Sequence, residues 1–557
     1  MASPPRSTVR FGSRRLPISP GRSLLEALWN GRLPILQRSI RYHRPRAPFC
    51  GVGQCTQCLV RVNGVPNVRA CRYVPGDGDV VETENAWPSP NHDVLGALDL
   101  LLPGGIDTLR GFRRPAFLTP LYHQVVRRLS GYGRIADRPG GIEPPAARRI
   151  ETEVAVLGTG IAGAAALSTL AEHGIASVGI DTSPIAAVRP GVAMLSGTTV
   201  AFLPPPRPEV DRPWRLIAVE GRRRGVDVRA RSVIIATGGY DAGLWFAGSD
   251  RPGVVTAEGA LAFTEPNRAP FFRRAVVFGG GERAAEILDR CGPQVDAVVA
   301  PGSVSPELTE KASALEVPLY PRTLLMAAIG RRRVRGVRLR SRADGAEFSL
   351  ETDAVILAHR RLPHPQLYFQ AGAEMEWRNA GGAYYPKLGR GTATSQPGLF
   401  GAGEGAGFVG TAAAEASGTA AAMQALGEEP PSLANLGRVD AIEPNEIEGY
   451  YRQLFAGRRP KGKWIVCPCE DVMLTEIEEA HERGYRGIEV IKRYTGVGSG
   501  LCQGRYCLPD TLLLLARLEQ RRPTEVGYIT QRPPVTPLPL SAFAGLPDES
   551  EPTGAAR

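Results

Sequence analysis

Apolar positions along this chain fall into runs whose period changes from segment to segment. Near the start, residues 9–11 and 58–62 alternate as half-buried strands do, and Asn63-Gly64 follows the second as a tight-turn pair. Between them SLLEALWNGRLP (23–34) reads as a short amphipathic helix ended by glycine. From Glu153 the pattern changes: EVAVLG is a continuous apolar strand, an alanine-rich helix opened by glycines follows, and a second apolar strand ends in an acid at Asp181. SVIIATGG (232–239) is another apolar strand. RAVVFGGGERAAEIL (274–288) and the stretch from Gly398, GLFGAGEGAGFVGTAAAEASGTAAA, repeat the order strand, glycine turn, helix. Two helical segments follow near the end, at 474–483 and about 488–494. Strands alternating with helices predict a multidomain α/β chain, and a length of 557 residues suggests three or four units.

Cysteine placement adds chemistry to this outline. Four of the nine cysteines lie in one short stretch: Cys50, four residues, Cys55, two residues, Cys58, twelve residues, Cys71. The first three have the plant-type ferredoxin spacing, with a distant fourth thiolate, and small residues (Gly51, Gly53) let the loop wrap a 2Fe-2S cluster and turn amides toward it. A zinc site or four unrelated buried thiols is the alternative, but zinc usually takes two closely spaced pairs. A second group pairs Cys467 with Cys469 and Cys502 with Cys507 across the helical segments. Four thiolates there suit a second 2Fe-2S cluster or a structural zinc. Cys291 stands alone and is expected in the core.

The glycines after the first apolar strand point to a dinucleotide. Gly158, Gly160 and Gly163 fit G-x-G-x-x-G around Ile161 and Ala162, so a pyrophosphate would approach the backbone at a helix N-terminus. Asp181 stands where an acid accepts the adenosine ribose hydroxyls. Thr237-Gly238 ends a later strand, Gly403-Glu404 another, and Gly279 and Gly281 open a second strand–glycine–helix unit between them. This order resembles the two-dinucleotide-domain flavoproteins typified by glutathione reductase. After Asp181 fewer than twenty residues lead to the next core strand. The adenosine half of the cleft is complete, whereas the flavin half is short, and FAD and NAD share that adenosine half.

Charge narrows the partners. The formal net charge of +11 comes from arginines spread along the chain, without the aromatic interleaving of a nucleic-acid groove. A docking face for an acidic partner, or solubility, accounts for it, and no nucleic-acid partner is expected. No apolar window has the length of a signal peptide or a membrane span, which predicts a cytoplasmic protein with reduced thiols. The seven histidines form no ligand pattern, and no catalytic triad or acid–base pair is visible, so no catalytic residue is assigned.

PFCGVGQCTQCLVRVNGVPNVRAC, CPCEDV, IKRYTGVGSGLCQGRYC and TQRPPVTPLPLSAFAGL together resemble the α-subunit family of heteromeric amino- and imino-acid dehydrogenases and oxidases. That family includes the sarcosine oxidase α chain, dye-linked proline and hydroxyproline dehydrogenases, the A component of opine oxidase, and the A and B components of hydrogen cyanide synthase fused. The resemblance implies a β-grasp ferredoxin-like domain at 8–84 and a linker at 85–150. It implies a glutathione-reductase-like Rossmann region at 151–435 with a second nucleotide-binding unit inserted at about 255–365. A helical bacterioferritin-associated-ferredoxin-like 2Fe-2S domain at 460–515 and a proline-rich tail at 516–557 would complete the chain, with no folate-binding domain after it. It further implies a separate D-amino-acid-oxidase-type β subunit that oxidises substrate on FAD, further small subunits, and FMN at the α–β interface. This chain would relay electrons through its two clusters. A stand-alone NAD(P)H-dependent iron-sulfur reductase and a non-redox scaffold are the competing expectations.

Overall fold

A computed structural model describes residues 7–97, 145–182, 192–203, 213–221, 224–264, 272–439, 446–456, 463–536, 538, 540–543 and 546. Two compact units emerge, one drawn from 1–140, 241–360 and 446–519, the other from 141–240, 361–445 and 520–557. The segment FLTPLYHQVVRRLSGYGR (117–134) and most of the short bridge after Asp181 lie outside the described residues.

In the first unit, β1 (Thr8–Phe11) and β2 (Arg14–Pro17) form one hairpin, β3 (Leu59–Val62) and β4 (Val65–Arg69) another. β5 (Val80–Glu82) joins them, parallel to β1 and antiparallel to β3, in the order β2-β1-β5-β3-β4. Asn63 and Gly64 both take positive φ, 49° and 79°, as a two-residue hairpin turn requires. Helix α1 (Leu24–Asn30) lays Leu24, Leu25 and Leu28 against Val9, Val60, Val68 and Val81, and ends at Gly31. This is the arrangement expected around Cys50–Cys71.

The second unit opens with β6 (Arg148–Leu157), α2 (Ile161–Glu172) and β7 (Ser177–Asp181), a parallel crossover. β8 (Ala193–Leu203) runs parallel to β7, then turns into the antiparallel strands β9 (Trp214–Glu220) and β10 (Arg224–Ile235). β10 returns parallel to β6 over nine register pairs, from Val226↔Arg148 to Ile235↔Leu157. The ends of β6 and β10, Val154–Leu157 and Val233–Ile235, are buried and read in sequence as short apolar runs, whereas their earlier halves carry charged residues.

The chain re-enters the first unit with β11 (Val254–Thr256), α3 (Ala257–Phe263), β12 (Ala275–Phe278), α4 (Glu282–Cys291) and β13 (Val295–Val299). Helix α5 (Pro306–Ala314) and β14 (Leu319–Tyr320) follow, then the antiparallel strands β15 (Thr323–Ile329), β16 (Gly336–Ser341) and β17 (Glu347–Glu351), and finally β18 (Ala354–Leu357). The parallel sheet has the order β11-β18-β12-β13-β14. Cys291 is fully buried in its core, as expected of a lone apolar thiol.

In the second unit, β19 (Leu399–Gly401) extends the earlier sheet to β9-β8-β7-β6-β10-β19, and α6 (Thr411–Ala425) packs on α2. Gly418 makes that packing possible, since a Cβ there would lie 2.0 Å from the Ala162 carbonyl oxygen. The first unit closes with α7 (Glu446–Ala456), the short hairpin β20 (Ile465–Cys467) and β21 (Val472–Met473), α8 (Leu474–Glu482), α9 (Ile488–Thr495) and α10 (Leu508–Glu519). Among the described residues no helix is long and apolar enough to cross a membrane.

Candidate redox centres and dinucleotide cleft

Cys50, Cys55 and Cys58 are buried and Cys71 is partly so, in a loop that turns through Gly51 and Gly53 at φ 67° and 81°. That turn aims the backbone N–H groups of Gln54 and Cys55 at Cys50 Sγ, each at 3.3 Å, while the Gln57 N–H donates to Cys55 Sγ at 3.5 Å. Burial alone would push the Cys50 thiol up. Hydrogen bonds from Cys55 and from the amides of Val52, Cys55 and Gln54 outweigh it and bring the group down to about 6. The thiols pair, Cys50 with Cys55 and Cys58 with Cys71. Among the described residues no group of three or more His, Cys, Asp and Glu side chains is arranged to hold a single ion. Four thiols gathered in one loop fit the four thiolates that a 2Fe-2S cluster takes.

The second set is built from the β20–β21 hairpin and the turn that leads into α10. Cys467, Cys469, Cys502 and Cys507 are all buried. Cys467 shares hydrogen bonds with Cys469 and Cys507, and Cys469 with Cys502. Bonds from Cys467 and Cys502, joined by the Thr56 hydroxyl and the Arg46 charge, overcome burial and hold the Cys469 thiol well below its usual range. Next to it, burial and the Cys469 charge raise Glu470 to about 7.

Within this unit the two sets are neighbours. Arg44, Arg46 and Asp471 form a buried ionic cluster between the segment before Cys50 and the hairpin carrying Cys467 and Cys469. Burial would raise the Asp471 carboxyl, but the Arg44 and Arg46 guanidiniums hold it at about 2. Arg69 donates to the carbonyls of both Cys55 and Leu501, at 3.1 Å each, and Phe49 meets Tyr506 edge-on at 5.1 Å. The first cysteine loop also seats on the β11–α3 corner, where the Thr256 N–H donates to the Phe49 carbonyl at 3.1 Å. A Cβ at Gly259 would lie 2.3 Å from that same oxygen.

In the second unit, Gly158, Gly160 and Gly163 form the turn between β6 and α2. A Cβ on Gly163 would lie 1.9 Å from the Gly158 carbonyl oxygen, whereas one on Gly160 would meet nothing within 4 Å. The open position faces the N-terminus of α2, beside half-exposed Ile161, while Ala162 is buried. Asp181 accepts the Thr159 N–H at 2.7 Å, which ties the end of β7 to the turn. The Thr159 and Thr237 hydroxyls, just past β6 and β10, are buried with no protein partner. Orphaned donors beside an open glycine fit the ribose–diphosphate part of a dinucleotide. Gly238 and Gly403 take positive φ, 63° and 66°. The Glu404 carboxylate accepts from Arg361 Nε at 2.7 and 2.9 Å, and Arg361 also reaches the Gly239 carbonyl.

Gly279 and Gly281 lie instead in the first unit, at the start of α4. Gly281 faces open space, but the loop after β13 folds over the turn: Ser305 N–H donates to the Gly280 carbonyl at 2.8 Å. Tyr450 of α7 packs on Phe278 at the end of β12, and Glu282 stands in the first turn of the helix. The sequence therefore names two glycine turns that have different surroundings. Thr56, Arg44, Arg46, Arg69, Asp471 and Arg361 escaped the sequence reading. Only the ArgTyrHisArgProArg run (41–46) and the acid two residues after Cys469 could have pointed to any of them.

A 2Fe-2S domain joined to two strand–glycine–helix units defines an iron-sulfur protein of the dinucleotide-binding flavoprotein class. Residues 6–86 match the 2Fe-2S iron-sulfur cluster binding domain, and residues 461–546 match the sarcosine oxidase A3 domain. The sarcosine oxidase alpha chain of Rhizobium meliloti (strain 1021) is 26% identical over 604 residues, covering 96% of this chain and 57% of that one. The A component of opine oxidase from Agrobacterium tumefaciens (strain Ach5) is 28% identical over 367 residues, 59% of this chain and 72% of that one. The fold is similar to that of the L-proline dehydrogenase from P. horikoshii, at 17% identity, with a TM-score of 0.66 and 97% of each chain covered. The chain belongs to the family of the sarcosine oxidase α chains and the opine oxidase A components. It spans little more than half the length of that sarcosine oxidase chain.

Proposed function

We propose that this chain is the electron-transfer subunit of a heteromeric amino- or imino-acid dehydrogenase or oxidase. Substrate oxidation, at the C–N bond of a sarcosine-, proline-, hydroxyproline- or opine-type amine, takes place on FAD held by a separate D-amino-acid-oxidase-type subunit. FMN at the interface and further small subunits belong to the same reading, as does a cytoplasmic location where thiols stay reduced. The observation that carries it is two sets of four thiols, seven of the eight buried, side by side in one compact unit. Bound 2Fe-2S clusters would supply one-electron transfer, which suits discharge of a two-electron-reduced flavin in single steps. The chain's part is to desolvate the thiolates, to donate N–H groups to Cys50 Sγ, and to clamp the two loops through Arg44, Arg46 and Arg69. The resemblance of residues 461–546 to the sarcosine oxidase A3 domain supports iron over zinc in the second set.

FAD or NAD is assigned to the adenosine cleft. Gly158, Gly160 and Gly163 would cradle its diphosphate and Asp181 its ribose, with Thr237, Gly238, Gly403 and Glu404 along the remaining wall. The test combines composition with reconstitution. Anaerobically purified chain should hold about four irons and four sulfides, since each cluster uses four thiolates. Mixed with its flavin partner, it should restore electron flow from a secondary amine to a dye or quinone. Rapid oxidation of proline or sarcosine by the isolated chain would overturn the reading.

A further inference from the structure

We propose that the Thr56 hydroxyl is a positioning group shared by both cysteine sets: it is fixed by the first and sets the electron affinity of the second. This rests on the reading of both sets as 2Fe-2S ligands. Thr56 directly follows Cys55 and is buried. Its hydroxyl donates to Cys469 Sγ at 3.1 Å across 413 positions of sequence.

Three features make this contact a constructed one. The Thr56 carbonyl accepts from the buried Gln37 side chain at 2.7 Å, so the backbone under the hydroxyl cannot rotate away. A β-branched side chain has few χ1 states, and threonine therefore aims its oxygen where serine would leave it freer. The hairpin turn facing it is held too: Arg46 donates to the Cys469 carbonyl at 2.9 Å, and Gln57 to the Pro468 carbonyl at 3.4 Å. Donor and acceptor are thus both anchored from outside the bond that joins them.

The consequence is electronic. A hydrogen bond to a ligand sulfur withdraws negative charge and favours the reduced, more anionic state of the centre. The route from Cys55 to Cys469 runs through the peptide bond, Thr56 Cα, Cβ and Oγ1, then one hydrogen bond. It is continuous, with one direct hydrogen bond as its only non-covalent step. One electron leaving a reduced centre on one side is the electron gained by an oxidised centre on the other, so the exchange balances within the chain. Thr56 favours its residence on the C-terminal side.

The test compares Thr56→Val, which keeps the shape and deletes the hydroxyl, with Thr56→Ser, which keeps the hydroxyl. Full-length protein is titrated with dithionite and mediators and followed by electron paramagnetic resonance. Thr56→Val should make reduction of the C-terminal centre about tenfold less favourable, a fall of about 59 mV for one electron. The N-terminal centre should move less, and serine should restore most of the difference. An unmoved C-terminal potential in a variant that still carries four irons overturns the proposal, and so does a shift that serine fails to rescue. Should Thr56→Val fail to fold, the unsubstituted protein decides: fully reduced, its two signals should split through mutual spin coupling, and two independent signals overturn the proposal. Zinc in the C-terminal set, found by elemental analysis, would sink the two-cluster reading itself and this inference with it. A null result with iron present sinks the role of Thr56 alone.

Discussion

The guanidinium of Arg44 and the carboxylate of Asp471, 427 positions apart in sequence, form an ion pair sealed from solvent. Arg44 also reaches Asp250 at 2.7 Å, and Asp471 also faces Arg46. Losing Asp471 leaves buried Arg46 without its carboxylate and Arg44 with Asp250 alone. Asp471→Asn should therefore cost about 3–5 kcal/mol of stability. Urea unfolding measures it. The double variant Arg44→Met with Asp471→Leu should cost less than the sum of its singles, because both charges go together. Additive losses would show that the pair is not coupled.

Two glycines of one turn should fail in different ways. Gly160→Val should fold and lose its bound dinucleotide, because the new side chain projects into the open space at the N-terminus of α2. Gly163→Val should destabilise the unit by about 3 kcal/mol or more, since even a Cβ collides with the Gly158 carbonyl. Asp181→Ala, which deletes the partner of the Thr159 N–H, should weaken the turn by about 1.5–3 kcal/mol. Extraction of bound nucleotide with thermal melting separates these effects. Retention of nucleotide by Gly160→Val would move the site elsewhere.

His359 gives the first unit a dependence on pH. The residue as a whole is partly exposed, yet both ring nitrogens are shut off from solvent without a protein partner. Burial, reinforced by the Arg360 charge, holds the imidazole well below its ordinary range. A folded-state value below the unfolded one means that the stability is complete above the unfolded pKa of about 6.5 and is lost as pH falls through it. Unfolding free energy should decline between about pH 7 and pH 5. His359→Leu should flatten that slope. An unchanged slope in the variant would assign it to other groups.

Loss of one ligand should remove one centre. Cys58→Ser should abolish one of two reducible signals and leave the other, because Cys58 pairs with Cys71 and has no thiol partner in the second set. Cys291→Ala, which alters a buried thiol on α4 beside Thr264, should leave iron content unchanged. Simultaneous disappearance of both signals in a folded Cys58→Ser protein would merge the two sets into one.

Local features were legible in the sequence because their causes are local. The helix of residues 24–30 stops at Gly31, Asn63-Gly64 makes its hairpin, and the helices after Met473 fall within a residue of their apolar periodicity. The spacing of Cys50, Cys55 and Cys58 similarly carries its own loop. What joins distant segments was not legible. Nothing near Asp471 announces Arg44, and nothing near Thr56 announces Cys469, since a hydrophobic pattern holds no pairwise address. The Arg361–Glu404 pair escaped for the same reason: a Gly-Glu step reads as a ligand-facing acid whether or not an arginine closes on it.

The chain that walls in the first cysteine loop is among the last to be made. Thr56 leaves the ribosome 413 residues before the sulfur it binds, a lag of roughly 20–80 s at about 5–20 residues per second. During that interval the Cys50–Cys58 loop has no cover from the hairpin of residues 465–473. Order of synthesis thus becomes order of enclosure: the N-terminal set is complete in sequence long before the hairpin that covers it exists. A chain truncated before Glu446 should leave Cys55 open to alkylation that the full chain resists.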